Sequence, residues 1–334
     1  MSGTEGSGTE GLPKLPVRKA DAHKGDAGGV GVIAGCAGPT RMIGAAALVA
    51  RGAFRAGAGL VRLGMPAPIV DAALGLEPSA MGVTLPVDDE GYLIGHRATQ
   101  AIDELAERSD VLVVGPGLGG ASKSGSGSAM EGPRSAALRA VQQLDAPVVV
   151  DADAINALAG LSELTREVRG SCVFTPHPGE FDRLAGAVNL GRSVRSGEHR
   201  ERSAEELAQR LGAIVVLKGA GTVVSDGHRT WTCPHGHPCM ATAGTGDVLA
   251  GVIAGLIAQH AMPPAQAAAL AMLPEQLQAK MPGDSLSLYD CARLGVAAHA
   301  LAGERWAEQA TAGLLARELA DLVPVALDTL RAER

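Results

Sequence analysis

Short apolar runs bounded by glycine alternate along the chain with longer stretches of helical period. Val30-Gly31-Val32-Ile33-Ala34-Gly35 is the first such run and reads as a buried strand. Behind it, 42–50 has helical length and alanine-rich propensity, with Arg51 and Arg55 late and Gly57 and Gly59 as a stop. Residues 60–64 form a strand again. Strand, glycine loop, helix, strand is a βαβ unit and predicts a parallel sheet. The alternation continues with helices over 98–108, 133–144, 153–158 and 204–211, and strands over 110–115, 147–151, 171–175 and 213–219. Two β-branched runs, 222–225 and 229–232, flank Asp226-Gly227, a hairpin signal. The rest is helical: 248–256, 264–273, 288–301, 312–321 and 323–330.

Glycine-rich or polar loops recur where the predicted strands end. Those ending at Gly38, Gly119, Glu180 and Gly221 fall at carboxyl ends, the edge of an open α/β sheet where ligands bind. A fifth, Thr242-Ala243-Gly244-Thr245-Gly246-Asp247, opens the 248–256 helix. Backbone N–H groups at such a helix start can face an anion. Asp247 falls in the first turn, where the helix dipole favours an ionised carboxylate able to take a proton. Phosphate donors beside a base are the parts phosphoryl transfer to a hydroxyl requires. The plainer alternative is a capped core helix.

Composition narrows the setting. A chain of 334 residues with 46% hydrophobic content can bury a large core, but aromatics are only 2%, so Ala, Val, Leu and Ile must build it. Twenty-nine basic and 36 acidic residues give a net charge of −7 with no basic face, so nucleic acid is not expected as a partner. Five scattered cysteines (Cys36, Cys172, Cys233, Cys239, Cys291) argue against a disulfide framework and fit a reducing cytoplasm. No apolar run reaches membrane-spanning length, so no membrane is expected. Residues 1–16 read as a disordered leader and 17–330 as a single domain, with surface insertions near 121–132, 188–203 and 275–287. The arginine-rich 192–202 stretch reads as a solvated loop, with a nucleotide-facing lid as the alternative.

Five strings appear in one order: Gly-Pro-Gly-Leu-Gly (115–119), Val-Val-Val-Asp-Ala-Asp-Ala-Ile-Asn (148–156), Thr-Pro-His-Pro-Gly-Glu-Phe (175–181), Leu-Lys-Gly-Ala-Gly-Thr (217–222) and Met-Ala-Thr-Ala-Gly-Thr-Gly-Asp-Val-Leu-Ala-Gly (240–251). Together they resemble the NAD(P)H-hydrate dehydratase family. That resemblance implies an α/β, ribokinase-like three-layer fold with a mostly parallel central sheet flanked by helices. It implies repair of hydrated NADH or NADPH, by phosphorylation of the ring hydroxyl and loss of phosphate, with ADP or ATP as co-substrate and Mg²⁺ as cofactor. A separate NAD(P)H-hydrate epimerase is the implied functional partner, and a homo-oligomer, such as a tetramer, the implied assembly.

Carried over by position, Ala45, Gly119, His177 and Asp247 would contact the hydrated cofactor, with Asp247 as catalytic base. Lys218, Gly219, Ala220, Gly221 and Thr222 would wrap the adenine nucleotide, and Gly244, Thr245 and Gly246 its phosphates. Asn156 and Glu180 would hold Mg²⁺ or its waters. Each also has a bland reading: Ala45 in helix packing, His177 in a rigid turn, Lys218 as a snorkelling surface lysine. One departure stands out. Where the family reads Gly-Asn-Pro-Gly-Met-Ala, this chain has Gly236-His237-Pro238-Cys239-Met240-Ala241. With Cys233 and His235 this gives Cys-x-His-x-His-x-Cys, a spacing that matches no common zinc site. The rivals are a ribokinase-like kinase of a small hydroxylated vitamin precursor and a nucleotide-binding regulator that has lost catalysis.

Overall fold

The computed structural model describes residues 11–120, 127–191, 199–272 and 285–332. Its frame is one nine-stranded sheet of order β3-β2-β1-β4-β5-β6-β7-β8-β9. The strands are β1 (Gly29–Ile33), β2 (Leu60–Pro66), β3 (Met81–Leu85), β4 (Val111–Val114), β5 (Val148–Val150), β6 (Cys172–Phe174), β7 (Ile214–Leu217), β8 (Val223–Ser225) and β9 (Thr230–Thr232). Pairing is parallel from β3 through β7 and antiparallel for β7–β8 and β8–β9. The Asp226-Gly227 hairpin is thus the antiparallel end of an otherwise parallel sheet.

Pleating sorts the strand side chains into two cores. Val30, Val32, Val111, Val113, Val149, Val173, Val216 and Val224 point to one face. Their neighbours Ile33, Leu112, Val114, Val148, Val150, Phe174, Val215 and Val223 point to the other. Valine and isoleucine serve both faces, which is why these strands read as continuous apolar runs. The first face is covered by α1 (Gly44–Ala56), α9 (Thr245–His260), α11 (Leu288–Ala307) and α12 (Ala316–Ala332). The second is covered by α3 (Gly95–Glu107), α4 (Gly127–Val141), α5 (Ala152–Leu158), α7 (Pro178–Ala187) and α8 (Arg200–Leu211). Among the described residues, the shorter helices α2 (Val70–Leu76), α6 (Leu164–Glu167) and α10 (Pro264–Ala271) complete the set.

Helices α1 and α9 lie backbone against backbone. A Cβ on Gly52 would come 2.5 Å from the Val248 carbonyl oxygen, and one on Gly251 would overlap that of Val49. The chain order reverses between β1 and β4, so their carboxyl-end loops open a crevice at the switch point. Gly115 closes the β4 end with φ 124°, where a side chain would overlap the Asp151 carbonyl.

Some boundaries move. Pro133, which the sequence offers as a helix start, lies inside α4. The two helices expected over 312–330 are one, α12, running through Pro324. Leu319, Ala320, Val323, Ala326, Leu327 and Leu330 are all buried, so one apolar stripe outweighs the missing N–H. Strand β3 and helix α2 had no signal, since β3 is a largely exposed edge with little alternation. Residues 1–10 of the expected leader lie outside the described residues, while Leu12 and Leu15 are buried in the first core. The 192–198 part of the arginine-rich stretch is also outside them, as are 121–126 and 275–284 of the expected insertions. Among the described residues no helix is long and apolar enough to cross a membrane.

Candidate active site

The carboxyl ends of β5, β6 and β7 deliver an acidic cluster around one ammonium. Asp151 follows β5 and is 1% exposed. Its Oδ1 accepts hydrogen bonds from Lys218 Nζ at 2.6 Å and from Thr175 Oγ1 at 2.7 Å. Glu180 Oε2 lies 3.8 Å from the same ammonium. The residue after Asp151, Ala152, sits at φ 50°, a left-handed conformation that a non-glycine residue rarely holds. Asp153 turns the other way, and its Oδ2 accepts from the Gly119 N–H at 2.9 Å.

Charge balance tunes each group. Burial alone would lower the Lys218 pKa, but Asp151 and Glu180 outweigh it and hold the ammonium above its ordinary value. Burial raises Glu180, with Lys218 offsetting part of the effect. Asp153 is likewise raised by burial, against the Gly119 N–H and Asn156. Asp247 is pushed up to about 7, by burial first and then by the Asp151 charge, with Lys218 pulling the other way. The expectation that the helix dipole keeps Asp247 fully ionised is therefore corrected. Desolvation and neighbouring carboxylates win.

Asp247 stands in the first turn of α9, after Gly244 at φ 90°. A Cβ on Gly244 would meet Leu48 Cδ1 at 2.6 Å and Ala316 Cβ at 3.0 Å, so the turn is wedged between α1 and α12. Thr245 Oγ1 donates to the carbonyls of Met240 and Thr242 at 3.1 and 3.0 Å. The first-turn N–H groups have no intrahelical partner, so this helix end can face an anion. A Cβ on Gly246 would lie 3.6 Å from Lys218 Nζ, which brings the ammonium to this turn. Beside it opens a cavity of about 600 Å³. Its walls are the Lys218–Thr222 loop, the 233–241 segment, Thr245, Gly246 and Leu249 of α9, and Val296, His299 and Ala300 of α11. A glycine loop, the open amino end of α9, a lysine and a carboxyl poised near neutrality meet at one edge of the sheet.

A family model described as NAD(P)H-hydrate dehydratase matches residues 30–325. The chain belongs to the NAD(P)H-hydrate dehydratase family. It is 34% identical over 328 residues to a bifunctional NAD(P)H-hydrate repair enzyme of Moorella thermoacetica, covering 96% of this chain and 53% of that protein. A like-named enzyme of Escherichia coli is 35% identical over 311 residues, 91% of this chain and 48% of its own length. The chain spans about half the length of these curated relatives. The structure of an ADP/ATP-dependent NAD(P)H-hydrate dehydratase from Bacillus subtilis, co-crystallised with ATP and Mg²⁺, superposes with a TM-score of 0.70 at 28% identity, over 95% of each chain. A ribokinase from Thermotoga maritima, at 15% identity and a TM-score of 0.50 over 90% of this chain and 99% of its own, shares the fold.

Within this dehydratase-family chain the expected site residues fall into three groups. Lys218, Gly219, Ala220, Gly221, Thr222, Thr245 and Gly246 line the cavity. Gly244 and Asp247 belong to the turn at its side. Ala45, in the first turn of α1, and Gly119, in the loop after β4, lie beyond: a Cβ on Gly117 would meet Ala45 Cβ at 3.1 Å, and one on Gly119 would meet Cys36 Sγ at 2.8 Å. Lys218 points into the acidic cluster and is no snorkelling surface lysine. His177 serves as the N-cap of α7, its Nδ1 accepting from the Gly179 and Glu180 N–H groups while its side chain stays 51% exposed. Asn156 Oδ1 accepts from Arg183 at 2.7 Å.

Asp151, Asp153, Thr175 and His299 were not singled out from the sequence. Two of them stand in the 148–156 string, where a strand ending in Asp-x-Asp was the available signal. His299 sits mid-helix in an apolar run, and nothing local marks it. The His237/Cys239 departure is absorbed locally. His237 Nδ1 accepts from the Cys239 N–H at 3.1 Å, capping the short 3₁₀ turn Pro238–Met240, a role asparagine also fills. The Cys239 thiol donates to the Gly303 carbonyl at 3.5 Å, and His235 pairs with Glu304 at 3.1 Å. The Cys233 thiol donates to the His235 carbonyl at 3.7 Å. Among the described residues no three His, Cys, Asp or Glu side chains are placed to hold a metal ion.

Proposed function

We propose that this chain dehydrates hydrated NADH or NADPH in the 6S form, at the expense of ADP or ATP. The observation that carries the reading is Asp247, with a pKa of about 7, at the anion-binding end of α9 beside the Lys218–Thr222 cavity. A base with that pKa at neutral pH has both a populated basic form and a driving force for accepting a proton.

Hydroxide is a poor leaving group, so the ring hydroxyl is first made into a phosphate ester. Asp247 takes its proton as the hydroxyl oxygen attacks the terminal phosphorus, and the bond from that phosphorus to the rest of the nucleotide breaks. ADP then leaves AMP, and ATP leaves ADP. The ring nitrogen's lone pair expels phosphate with the C–O bonding pair. Loss of the adjacent ring proton restores the double bond of NAD(P)H. The Gly246 region and Lys218 hold the transferring group, while Ala45, Gly119 and His177 face the reduced cofactor.

Mg²⁺ fits the chemistry of the cluster. Asp151 and Glu180 both face the Lys218 ammonium, with Asp247 and Asp153 close by, so carboxyl groups outnumber the cation, a surplus suited to a divalent ion held through one or two carboxylates and waters. Glu180 would hold the ion, which would supply charge to screen the phosphates, while the Asn156 Oδ1 is engaged by Arg183. Residues 17–330 act in this reading as one domain, in the cytoplasm and as a homo-oligomer. The relatives' bifunctional names support a functional pairing with a separate epimerase acting on the same damaged cofactor. The test supplies hydrated NADH or NADPH with ADP or ATP and follows recovery of the reduced-nicotinamide absorbance. No recovery with either nucleotide overturns the proposal.

A further inference from the structure

The peptide unit joining Thr245 to Gly246 has its two polar atoms committed in opposite directions. Its carbonyl oxygen lies 2.9 Å from Nε2 of His299 on α11. Its N–H, that of Gly246, belongs to the open first turn of α9. A trans peptide is planar with C=O and N–H antiparallel, so a group that fixes the carbonyl also aims the amide. A carbonyl oxygen only accepts, so this contact puts the imidazole proton on Nε2. His299 is 8% exposed, and burial, reinforced by the Lys218 ammonium, pushes its pKa down to about 4. The ring is therefore neutral near pH 7, a donor toward Thr245 without a competing charge beside the phosphates. The Thr245 side chain is anchored separately by Met240 and Thr242, so the residue is held on two sides.

We propose that His299 is a positioning residue for phosphoryl transfer, holding the 245–246 peptide so that the Gly246 N–H faces the terminal phosphate of the bound nucleotide. The inference rests on the phosphoryl-transfer reading of the site. A hydrogen bond accepted at the carbonyl also polarises the peptide and strengthens its N–H as a donor. Through this contact a helix remote in sequence sets the aim of the anion-binding turn.

The test compares His299→Phe, which keeps a ring but no N–H, with His299→Gln, whose amide can donate to the same carbonyl. ADP and AMP are titrated separately by calorimetry, without the hydrated cofactor. His299→Phe should weaken ADP about tenfold and AMP by less than about twofold, because only ADP carries the phosphate that the aimed amide meets. Turnover should show a lower kcat at an unchanged KM for the hydrated cofactor, and His299→Gln should recover most of both effects. Wild-type ADP affinity in His299→Phe overturns the proposal, as does an equal loss of AMP, which would assign the ring to the base or ribose. If His299→Phe does not fold, His299→Leu, which also lacks the donor, takes its place: a loss of ADP but not AMP affinity upholds the proposal and a wild-type ratio overturns it. The binding comparison stands even if the hydrated cofactor proves not to be the substrate.

Discussion

Lys218 Nζ and Asp151 Oδ1 meet at 2.6 Å beneath the first turn of α9, both largely withdrawn from water. The pair joins the end of β7 to the end of β5, across β6. It also sets the potential felt by Asp247, since the two charges act on that carboxyl with opposite signs.

Removing the ammonium should therefore act twice. Lys218→Met leaves Asp151 and Glu180 buried without their cation, and breaking such a pair typically destabilises a fold by about 3 kcal/mol or more. In addition the Asp247 pKa should rise further, because the group that lowers it is gone. The acid limb of the kcat/KM–pH profile, expected near 7 in the wild type, should move to higher pH. A limb that stays in place would show that Lys218 does not tune the base.

Asp247→Asn should remove turnover by a factor of roughly 10²–10⁴ while leaving ADP binding close to wild type, as expected for loss of a general base. Single-turnover kinetics and calorimetry check the two halves of that statement. Near-wild-type activity would mean that another group takes the proton.

The same substitution has a stability signature. The Asp247 pKa is raised from 3.8 to about 7 on folding, so between these values the folded state binds more protons than the unfolded one. Stability from this group is thus lost as pH rises from about 4 to about 7. Relative to wild type, Asp247→Asn should gain roughly 1–4 kcal/mol at pH 8, a gain that shrinks toward pH 4. Urea unfolding at pH 4.5 and pH 8 gives the comparison, and a pH-independent difference would refute the assigned shift.

Gly251→Ala places a methyl against the Val49 carbonyl, so α1 and α9 must separate. Overpacking of this kind costs about 1–3 kcal/mol. Because α9 carries Asp247 at its amino end, kcat should fall with the urea midpoint, as much as a hundredfold for a displacement of about 1 Å. Gly75→Ala, in α2 where a Cβ meets nothing, serves as the control and should leave kcat unchanged and the urea midpoint no lower than wild type.

The parallel sheet and its loop-bearing edge were legible because valine and isoleucine runs end in glycine, a pattern set by burial on both faces and by close backbone approach. The glycine turn that opens α9, with Asp247 in its first turn, was legible for the same reason. Edge strand β3 and the continuity of α12 through Pro324 were not, since each depends on tertiary cover or the lack of it. The electrostatic partners were the hardest to see. Asp151 and Lys218 lie 67 positions apart, and His299 is 54 from the carbonyl it meets. No local periodicity encodes such a meeting; sheet order and helix packing create it.

Ala45 and Asp247 stand near the amino ends of α1 and α9, two helices whose contact runs through Gly52 and Gly251. Main chain resting on main chain has no rotamers to exchange. The helix pair therefore acts as a ruler: the span between its two amino ends is a fixed length, insensitive to side-chain motion. In the proposed reading, a cofactor reaching across that span would be selected by its own dimensions, since one too short or too long would gain nothing from rearrangement of the frame.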